Sequence, residues 1–208
     1  MVAIDSPVPS MRHLNGSVLL STDIETTGLD PDCNDILQVA FVVSNNYLEP
    51  HRAIPPFYLK LRPSSPHIID AKAMQINSLS IEDYLKFGID PYDAAETLVR
   101  WIGSLGLAPG KKVQLLGHNV HFDMSFMTKW LGLETVNLLF DYHYRDLASA
   151  LLYLNDRACL RGIEYPVSKV SLAYICKTLG VVNEQAHDAL HDAVATLECY
   201  RRLMGQAL

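Results

Sequence analysis

Two carboxylates stand two residues apart at the end of an apolar segment near the start of the chain. Asp23 and Glu25 follow residues 18–20 (Val-Leu-Leu), a run typical of a buried strand. Because side chains alternate along a strand, both carboxylates project from one face, roughly 6.5 Å apart. Carboxylates so close repel each other, and a hard divalent cation such as Mg2+ or Mn2+ removes that cost. The spacing therefore indicates a metal site, although an acidic strand end in solvent has the same pattern.

The residues after this pair turn the chain. Thr26, Thr27 and Gly28 place hydroxyls and backbone N–H groups beside the carboxylates. The order Asp-x-Glu-x-Thr also resembles the loop of haloacid dehalogenase-like phosphatases, in which the first Asp is a nucleophile instead of a metal ligand. The pair alone leaves both chemistries open, so the other acidic positions must separate them.

A third carboxylate follows a strand predicted at 112–117. Asp123 falls in the first turn of a helix predicted at 122–133, where the helix dipole and free N–H groups favour an acidic side chain. That placement explains the residue without any function. In the functional interpretation, the strand delivers a carboxylate to the sheet edge at which active sites gather. His118 and His121, in the motif between strand and helix, could carry protons or simply form hydrogen bonds.

A last cluster, His187-Asp-Ala-Leu-His-Asp192, opens a helix predicted at 188–204. Asp188 fits the N-cap and is expected to face solvent, whereas Asp192 lies one turn further on and is expected to face the site. His187 ends a loop, a position suited to a general base that swings in when substrate binds. His191 points elsewhere on the helix, where a structural or exposed role is expected.

The hydrophobic pattern of the chain predicts the strands and helices that position these motifs. Three strands come first, one beginning at residue 18 and two at 36–44 and 57–62, and their connections are too short for helical crossovers, so we expect antiparallel pairing. Downstream the pattern predicts a short helix at 69–76, a polar loop at 78–90, a helix at 92–105, the strand at 112–117, the helix at 122–133, a short strand near 136–140, a helix from about 146, a helix at 168–179 and the helix at 188–204. This order predicts an α/β domain with a mixed sheet and helices on both faces.

The composition is typical of one globular domain. The 208 residues are 49% hydrophobic and 19% charged, with a formal net charge of −6. The negative charge argues against a nucleic-acid coat protein, but not against an enzyme that grips a few nucleotides through metal ions. No apolar run approaches the ~20 residues of a membrane span, so no membrane partner is expected.

Four cysteines, at positions 33, 159, 176 and 199, form no Cys-x-x-Cys pair. Structural zinc is therefore disfavoured, and reduced thiols in a cytoplasmic protein are expected. Residues 1–15 lack the pattern of a signal peptide and are predicted to form a loose leader. Residues 16–208 are predicted to form a single domain.

The three motifs together resemble a known family. "DIETTG", "HNVHFD" and "HDALHD", in this order and with these separations, are similar to the exonuclease motifs of the DnaQ-like DEDDh group, which includes the proofreading epsilon subunit of bacterial replicases and RNase T. The resemblance spans residues 17–203 and implies a ribonuclease H-like fold. Position 188 holds Asp where the tyrosine subgroup has Tyr, so the histidine subgroup fits. The phosphatase alternative accounts for neither of the later motifs.

This resemblance implies a metal-dependent 3′-5′ exonuclease that hydrolyses the terminal phosphodiester of single-stranded nucleic acid, DNA being favoured, and releases nucleoside 5′-monophosphates. Two divalent ions, Mg2+ or Mn2+, would be held by four carboxylates. Asp23 would bridge both ions, Glu25 and Asp192 would hold the first, and Asp123 the second. His187 would be the general base. The expected substrate contacts are Thr26, Thr27, Gly28, Leu29, His118, Asn119 and Phe122.

Two alternatives stay open at this point. An exoribonuclease that trims RNA 3′ ends would use the same motifs, because the sequence does not reveal whether a 2′-hydroxyl has room. A non-catalytic nucleic-acid-binding or polymerase-accessory module would keep the motifs for structure alone. The expected partners are the 3′ ends of single strands, a second copy of the chain in a homodimer, and a polymerase or replication partner.

Overall fold

Five strands form one sheet around the strand that carries the first acidic pair. The strands are β1 (Leu19–Thr26), β2 (Ile36–Val43), β3 (Phe57–Lys60), β4 (Gln114–Gly117) and β5 (Arg145–Asp146). Their order is β3-β2-β1-β4-β5, which places β1 at the centre. The first three strands pair antiparallel, whereas β4 and β5 join in parallel. The predicted mixed sheet is therefore confirmed.

Eight helices lie in the part of the chain that the computed structural model describes, residues 17–64, 68–77, 80–164 and 167–205. They are α1 (Ala71–Asn77), α2 (Ile81–Phe87), α3 (Pro91–Ser104), α4 (Val120–Leu131), α5 (Leu133–Leu139), α6 (Leu147–Leu160), α7 (Leu172–Leu179) and α8 (Ala189–Met204). None of these described helices has the length and apolar character needed to cross a bilayer. The predicted leader at 1–15 lies outside the described residues.

Alternate side chains of the sheet pack against helices on its two faces. On one face, Leu20 belongs to a core with Leu98 of α3 and Phe126 of α4. On the other face, Leu19 packs in a second core with Ala193 of α8. Because both faces are covered, β1 and β2 consist almost entirely of buried residues.

Buried hydrogen bonds attach α8 to the sheet. The Ser21 hydroxyl donates to the Ala193 carbonyl at 2.7 Å. Gln38, buried in β2, accepts from the Ala189 N–H at 3.0 Å and donates to the Tyr84 hydroxyl at 2.6 Å. Losing one partner of such a buried bond costs about 1–3 kcal/mol. The N-terminus of α8 is therefore held at a fixed place against β1 and β2.

The polar loop predicted at 78–90 was wrong, because it contains α2. Ser80 caps this helix by accepting from the Asp83 N–H, and Gly88 ends it. Tyr84 is buried and is the residue that reaches Gln38 in the sheet. A seven-residue helix with one anchoring side chain is too short to give a clear helical period.

The short strand predicted near 136–140 was also wrong. Residues 133–139 form α5, which begins after Gly132 at a φ of +78° and buries Val136 and Leu139 at helical spacing. Of this segment, only Phe140 pairs with the sheet, as an isolated bridge to Val113. The fifth strand is instead β5, whose two polar residues have no strand pattern to recognise. The other predicted helices are present with shifted ends.

Candidate active site

One cleft, about 600 Å3 in volume, collects acidic residues from all three motifs. Its lining includes Asp23, Glu25, Asp123, Asp192 and His187. The first two lie on β1, the third in the first turn of α4 and the fourth in the first turn of α8. The volume falls within the range of about 300–1,000 Å3 that is usual for small-molecule sites. The predicted meeting of remote carboxylates in one place is present.

The two carboxylates of β1 lie on the face that α8 covers. Asp23 and Glu25 continue the alternation of Leu19 and Ser21, which pack against α8. Beyond Ser21 the parallel partner β4 has ended, since its register with β1 stops there. The carboxylates therefore emerge where the sheet opens beside the start of α8.

Burial and mutual repulsion weaken the acidity of this pair. Burial raises the pKa of Glu25 to about 8, and the nearby Asp192 and Asp188 add to the shift. Burial also raises the pKa of Asp23 well above its usual value, and Asp123 is the largest electrostatic contributor. Burial therefore favours the protonated form of both side chains, and a positive charge close by would favour the ionised form.

Asp123 reaches the cleft because the chain turns sharply from β4 into α4. Asn119 precedes the helix in a left-handed conformation, with φ of +58° and ψ of +46°. A Cβ at Gly117 would come within 2.8 Å of the Val120 Cβ, so only glycine fits this turn. Asp146 fixes the helix start by accepting from the Val120 N–H at 2.9 Å. Asp123 is only 3% exposed, and burial raises its pKa, with repulsion from Asp146 adding to the effect.

Asp192 is held by the loop that precedes α8. The Asn183 side-chain amide donates to one carboxylate oxygen at 2.5 Å, and the His187 backbone N–H donates to the other at 3.1 Å. Burial raises the pKa of Asp192, and these two donors oppose the rise. His187 has a left-handed φ of +67°, a conformation that a non-glycine residue keeps only when its surroundings fix it. The loop and the carboxylate therefore define each other's position.

The donor set fits a divalent cation. Glu25, His187 and Asp192 each offer one ligand atom, and these atoms lie within 4.8 Å of one another. Asp23 lies beside them and is repelled most strongly by Asp123. The acidic residues thus concentrate negative charge in one place, and a hard cation would neutralise it.

Asp188 caps α8 as predicted, but it does not face solvent. Its carboxylate accepts from the N–H groups of Leu190 and His191, and the Tyr58 hydroxyl donates to it at 2.7 Å. The His191 ring also lies 2.8 Å from it. Burial acts to raise the pKa of Asp188, but the bonds from His191 and Tyr58 bring it below its usual value. The long-range contact with β3 is what turns this cap inward.

Three of the predicted substrate contacts line the cleft: His118, Asn119 and Phe122. The Phe122 ring also packs against Phe126, with centroids 4.9 Å apart, so one face contributes to the core. Burial lowers the pKa of His118, which favours the neutral ring. Its Nδ1 is buried and has no hydrogen-bond partner among the described residues.

The other four predicted contacts form a loop beside the cleft and are not among its lining residues. The Thr26 hydroxyl donates to the Gly28 carbonyl at 2.6 Å, and the Thr27 hydroxyl accepts from the Asp35 N–H at 2.9 Å. A Cβ at Gly28 would come within 2.5 Å of the Asn34 side chain, so a larger residue would require that side chain to move. Leu29 is 79% exposed at the loop tip. The structure thus gives these hydroxyls a role in shaping the loop.

Sequence reasoning missed three residues that support the site. Asn183 holds Asp192, Asp146 holds the start of α4, and Tyr58 holds Asp188. Asp146 carried a usable signal, because an Asp before a predicted helix is a typical N-cap, and it also accepts from the Ser149 N–H. Asn183 and Tyr58 act across the fold, and no local pattern marks them.

Known proteins share these motifs along most of the chain. Residues 20–200 match the family model RNase_T, described as "Exonuclease". The 3′-5′ DNA exonuclease Cap18 of Escherichia coli is 28% identical over 185 residues, which cover 88% of this chain and 90% of that protein. Ribonuclease T of Buchnera aphidicola subsp. Baizongia pistaciae is 26% identical over 192 residues, covering 88% of this chain and 82% of that protein.

Solved nuclease structures share the fold. Escherichia coli Exonuclease I in complex with a dA16 oligonucleotide matches with a TM-score of 0.71 at 20% identity, over 91% of this chain and 41% of that chain. Cell-death related nuclease 4 (CRN-4) matches with a TM-score of 0.69 at 16% identity, over 96% of this chain and 66% of that chain. This chain therefore spans about two fifths of Exonuclease I, and the likeness shows the ribonuclease H-like fold.

The raised pKa of Glu25 predicts that the metal-free protein loses stability as pH rises. The folded state keeps the Glu25 proton up to about pH 8, whereas the unfolded chain releases it near 4.5. Unfolding therefore releases a proton in this window, and the free energy of unfolding falls by about 1.4 kcal/mol per pH unit for each such proton. We expect the melting temperature in EDTA to fall from about pH 5 to 8, and Mn2+ to restore it at the upper end. Glu25→Gln should flatten the profile, and a wild-type melting temperature that rises with pH in EDTA would contradict the prediction.

Removing the Asn183 amide should weaken metal binding through Asp192. Losing a group that orients a ligand typically costs about 10–100-fold in metal affinity. We expect Asn183→Ala to lower Mn2+ affinity by about tenfold in calorimetric titration while the protein stays folded. The matched control is Asn155→Ala, because that amide bonds the Val167 carbonyl and does not line the cleft. Equal Mn2+ affinity in both variants would show that Asp192 needs no such support.

Proposed function

The chain belongs to the RNase_T exonuclease family, and we propose that this nuclease is a metal-dependent 3′-5′ exonuclease that releases nucleoside 5′-monophosphates from the 3′ end of single-stranded nucleic acid. The observation that carries the proposal is the meeting of four carboxylates and a histidine in one cleft. Such a set suits displacement at phosphorus, in which charge develops on attacking and leaving oxygens. The phosphatase alternative would leave the second and third motifs without a role.

Two divalent ions, Mg2+ or Mn2+, are the proposed cofactors. Asp123 is the carboxylate that most strongly repels Asp23, and Asp192 the one that most strongly repels Glu25, which supports two neighbouring positions. Asp23 would be shared, Glu25 and Asp192 would hold the first ion, and Asp123 the second. When bound, the ions would polarise the scissile phosphate and stabilise the leaving oxygen.

His187 is the proposed general base. A ring nitrogen lies within 4.8 Å of ligand atoms of Glu25 and Asp192, and this proximity supports a ring that could reach a water held by those groups. The residue is exposed at the end of its loop and can contact a bound substrate. Its ring would accept the proton of the attacking water, a contribution of about 10²–10⁴-fold in rate.

The substrate contacts are proposed for two sides of the cleft. Asn119 is exposed at the start of α4. Phe122 offers a ring on which a base can stack, an interaction worth about 1–3 kcal/mol per base. On the other side, Leu29 would contact the terminal base from the loop formed with Thr26, Thr27 and Gly28. His118, neutral and at the cleft wall, would hydrogen-bond the sugar or phosphate.

DNA is the favoured substrate, and RNA is the alternative. The Cap18 relative is called a DNA exonuclease, and the Exonuclease I structure holds a DNA oligonucleotide. The similarity to Ribonuclease T is nearly as high, and it supports the alternative of an exoribonuclease that trims RNA 3′ ends. With DNA as substrate, the enzyme would serve DNA repair or proofreading.

A side-by-side degradation assay tests the proposal. The protein is incubated with end-labelled single-stranded DNA, duplex DNA and RNA, each with Mg2+ and with EDTA. We expect stepwise release of mononucleotides from the 3′ end of single-stranded DNA with Mg2+ only. Faster loss of the RNA would favour the exoribonuclease, and intact strands under all conditions would favour a non-catalytic binding module.

Neutralising Asp23 should abolish this release. Asp23→Asn keeps the shape but removes one charge that both proposed ions need, so we expect activity to fall by on the order of 10³-fold or more. Stability should be unchanged or higher, because one repelling carboxylate is gone. The matched control is Asp188→Asn, since Asn caps helices as well as Asp and this residue is not part of the cleft lining. An active Asp23→Asn enzyme would overturn the assignment of Asp23.

Replacing His187 separates its role as base from a role as metal ligand. With His187→Ala we expect a rate lower by about 10²-fold or more, because no ring then accepts the proton of the attacking water. Mn2+ affinity measured by calorimetry should stay within a few-fold of wild type. A parallel fall of Mn2+ affinity and rate would instead make the ring a ligand.

A further inference from the structure

The cleft presents an electrostatic problem to an anionic strand. It is lined by four carboxylates in a chain whose formal net charge is −6. Metal ions can offset the repulsion at the scissile phosphate, but each further phosphate of a strand needs its own positive partner. A cation on the cleft wall away from the carboxylates would meet that need.

Lys177 is the one Lys or Arg among the described residues that line the cleft. It lies on α7, one helical turn after Ala173 and next to Cys176, and both neighbours line the same wall. The carboxylates come from β1, α4 and α8 instead. Lys177 therefore belongs to a wall of the cleft that the acidic residues do not occupy.

The side chain of Lys177 is also available. It is exposed and, within the described ranges, forms no ion pair with any carboxylate at up to 4.0 Å. Other cations are engaged: Arg201 and Arg202 bond Glu198, and Lys129 reaches the Asn34 carbonyl. The Lys177 ammonium is therefore free to bind a phosphate from the wall formed by α7.

We propose that Lys177 binds a backbone phosphate upstream of the scissile one and thereby makes the enzyme prefer a strand over a single nucleotide. This assignment rests on the proposed exonuclease function. A purely structural role is the alternative, because a lysine in the last turn of a helix also stabilises the helix dipole. The two roles differ in which substrates respond when the charge is removed.

Two substrates separate these roles. One is a 3′-labelled single-stranded DNA, and the other is the p-nitrophenyl ester of thymidine 5′-monophosphate, which has one phosphate and no upstream backbone. For Lys177→Ala we expect the ratio of kcat/KM on the strand to kcat/KM on the ester to fall by about tenfold, through KM. The slope of log affinity against log salt for the strand should become shallower by about 0.7. Lys177→Arg should restore both quantities, and Lys86→Ala, which removes an exposed charge on α2, should change neither.

The possible outcomes each decide the assignment. An unchanged ratio and salt slope would overturn it, and equal losses on strand and ester would move Lys177 to the scissile phosphate and overturn the upstream position. If the wild type cleaves neither substrate, the proposed function is wrong, and that result does not test Lys177. Binding of the labelled strand, measured by fluorescence anisotropy with Ca2+, then tests Lys177 separately, with a loss of about tenfold expected and equal affinity contradicting it.

Discussion

The cost of burying several carboxylates side by side is the constraint on which this site depends. Burial is the largest cause of the raised pKa of Asp23, Glu25, Asp123 and Asp192, and repulsion by neighbouring carboxylates raises it further, so the charged form of each is disfavoured. They are held together by apolar packing on both faces of the sheet, with α4 on one side of β1 and α8 on the other. A bound cation would favour the charged carboxylates, and the free energy gained in this way would contribute to the affinity for the cation.

The hydrogen bonds that fix the first residues of α4 and α8 also set the positions of the carboxylates one turn later. Asp146 fixes the first N–H of α4 one turn before Asp123. The buried Gln38 fixes the first N–H of α8 one turn before Asp192, and Asn183 holds that carboxylate directly. The geometry of the site therefore depends on helix starts, which are set by buried polar contacts from neighbouring elements. This dependence explains why residues that never line the cleft, such as Gln38, matter to it.

Local patterns in the sequence were enough for the four longer strands and for the places of Asp23, Glu25 and Asp192 on their elements. Asp23 and Glu25 could be placed on one face because the strand period is two, and Asp192 because it lies one turn after an N-cap. The predictions that were wrong concern features that depend on contacts distant in sequence. Helix α2 is anchored by one buried tyrosine, and β5 is defined by backbone pairing alone. Asp188 is turned inward by a hydroxyl from β3. The loop formed by Thr26 to Leu29 lies beside the cleft, and its role with substrate stays a prediction.

Direct location of the cations would test the central claim most sharply. A crystal of the protein grown with Mn2+ and a nucleoside 5′-monophosphate can be measured at the manganese absorption edge, where anomalous scattering identifies the ions. We predict two peaks roughly 3.5–4 Å apart, with Asp23 between them, Glu25 and Asp192 against one, and Asp123 against the other. A single peak, or peaks away from these carboxylates, would contradict the account.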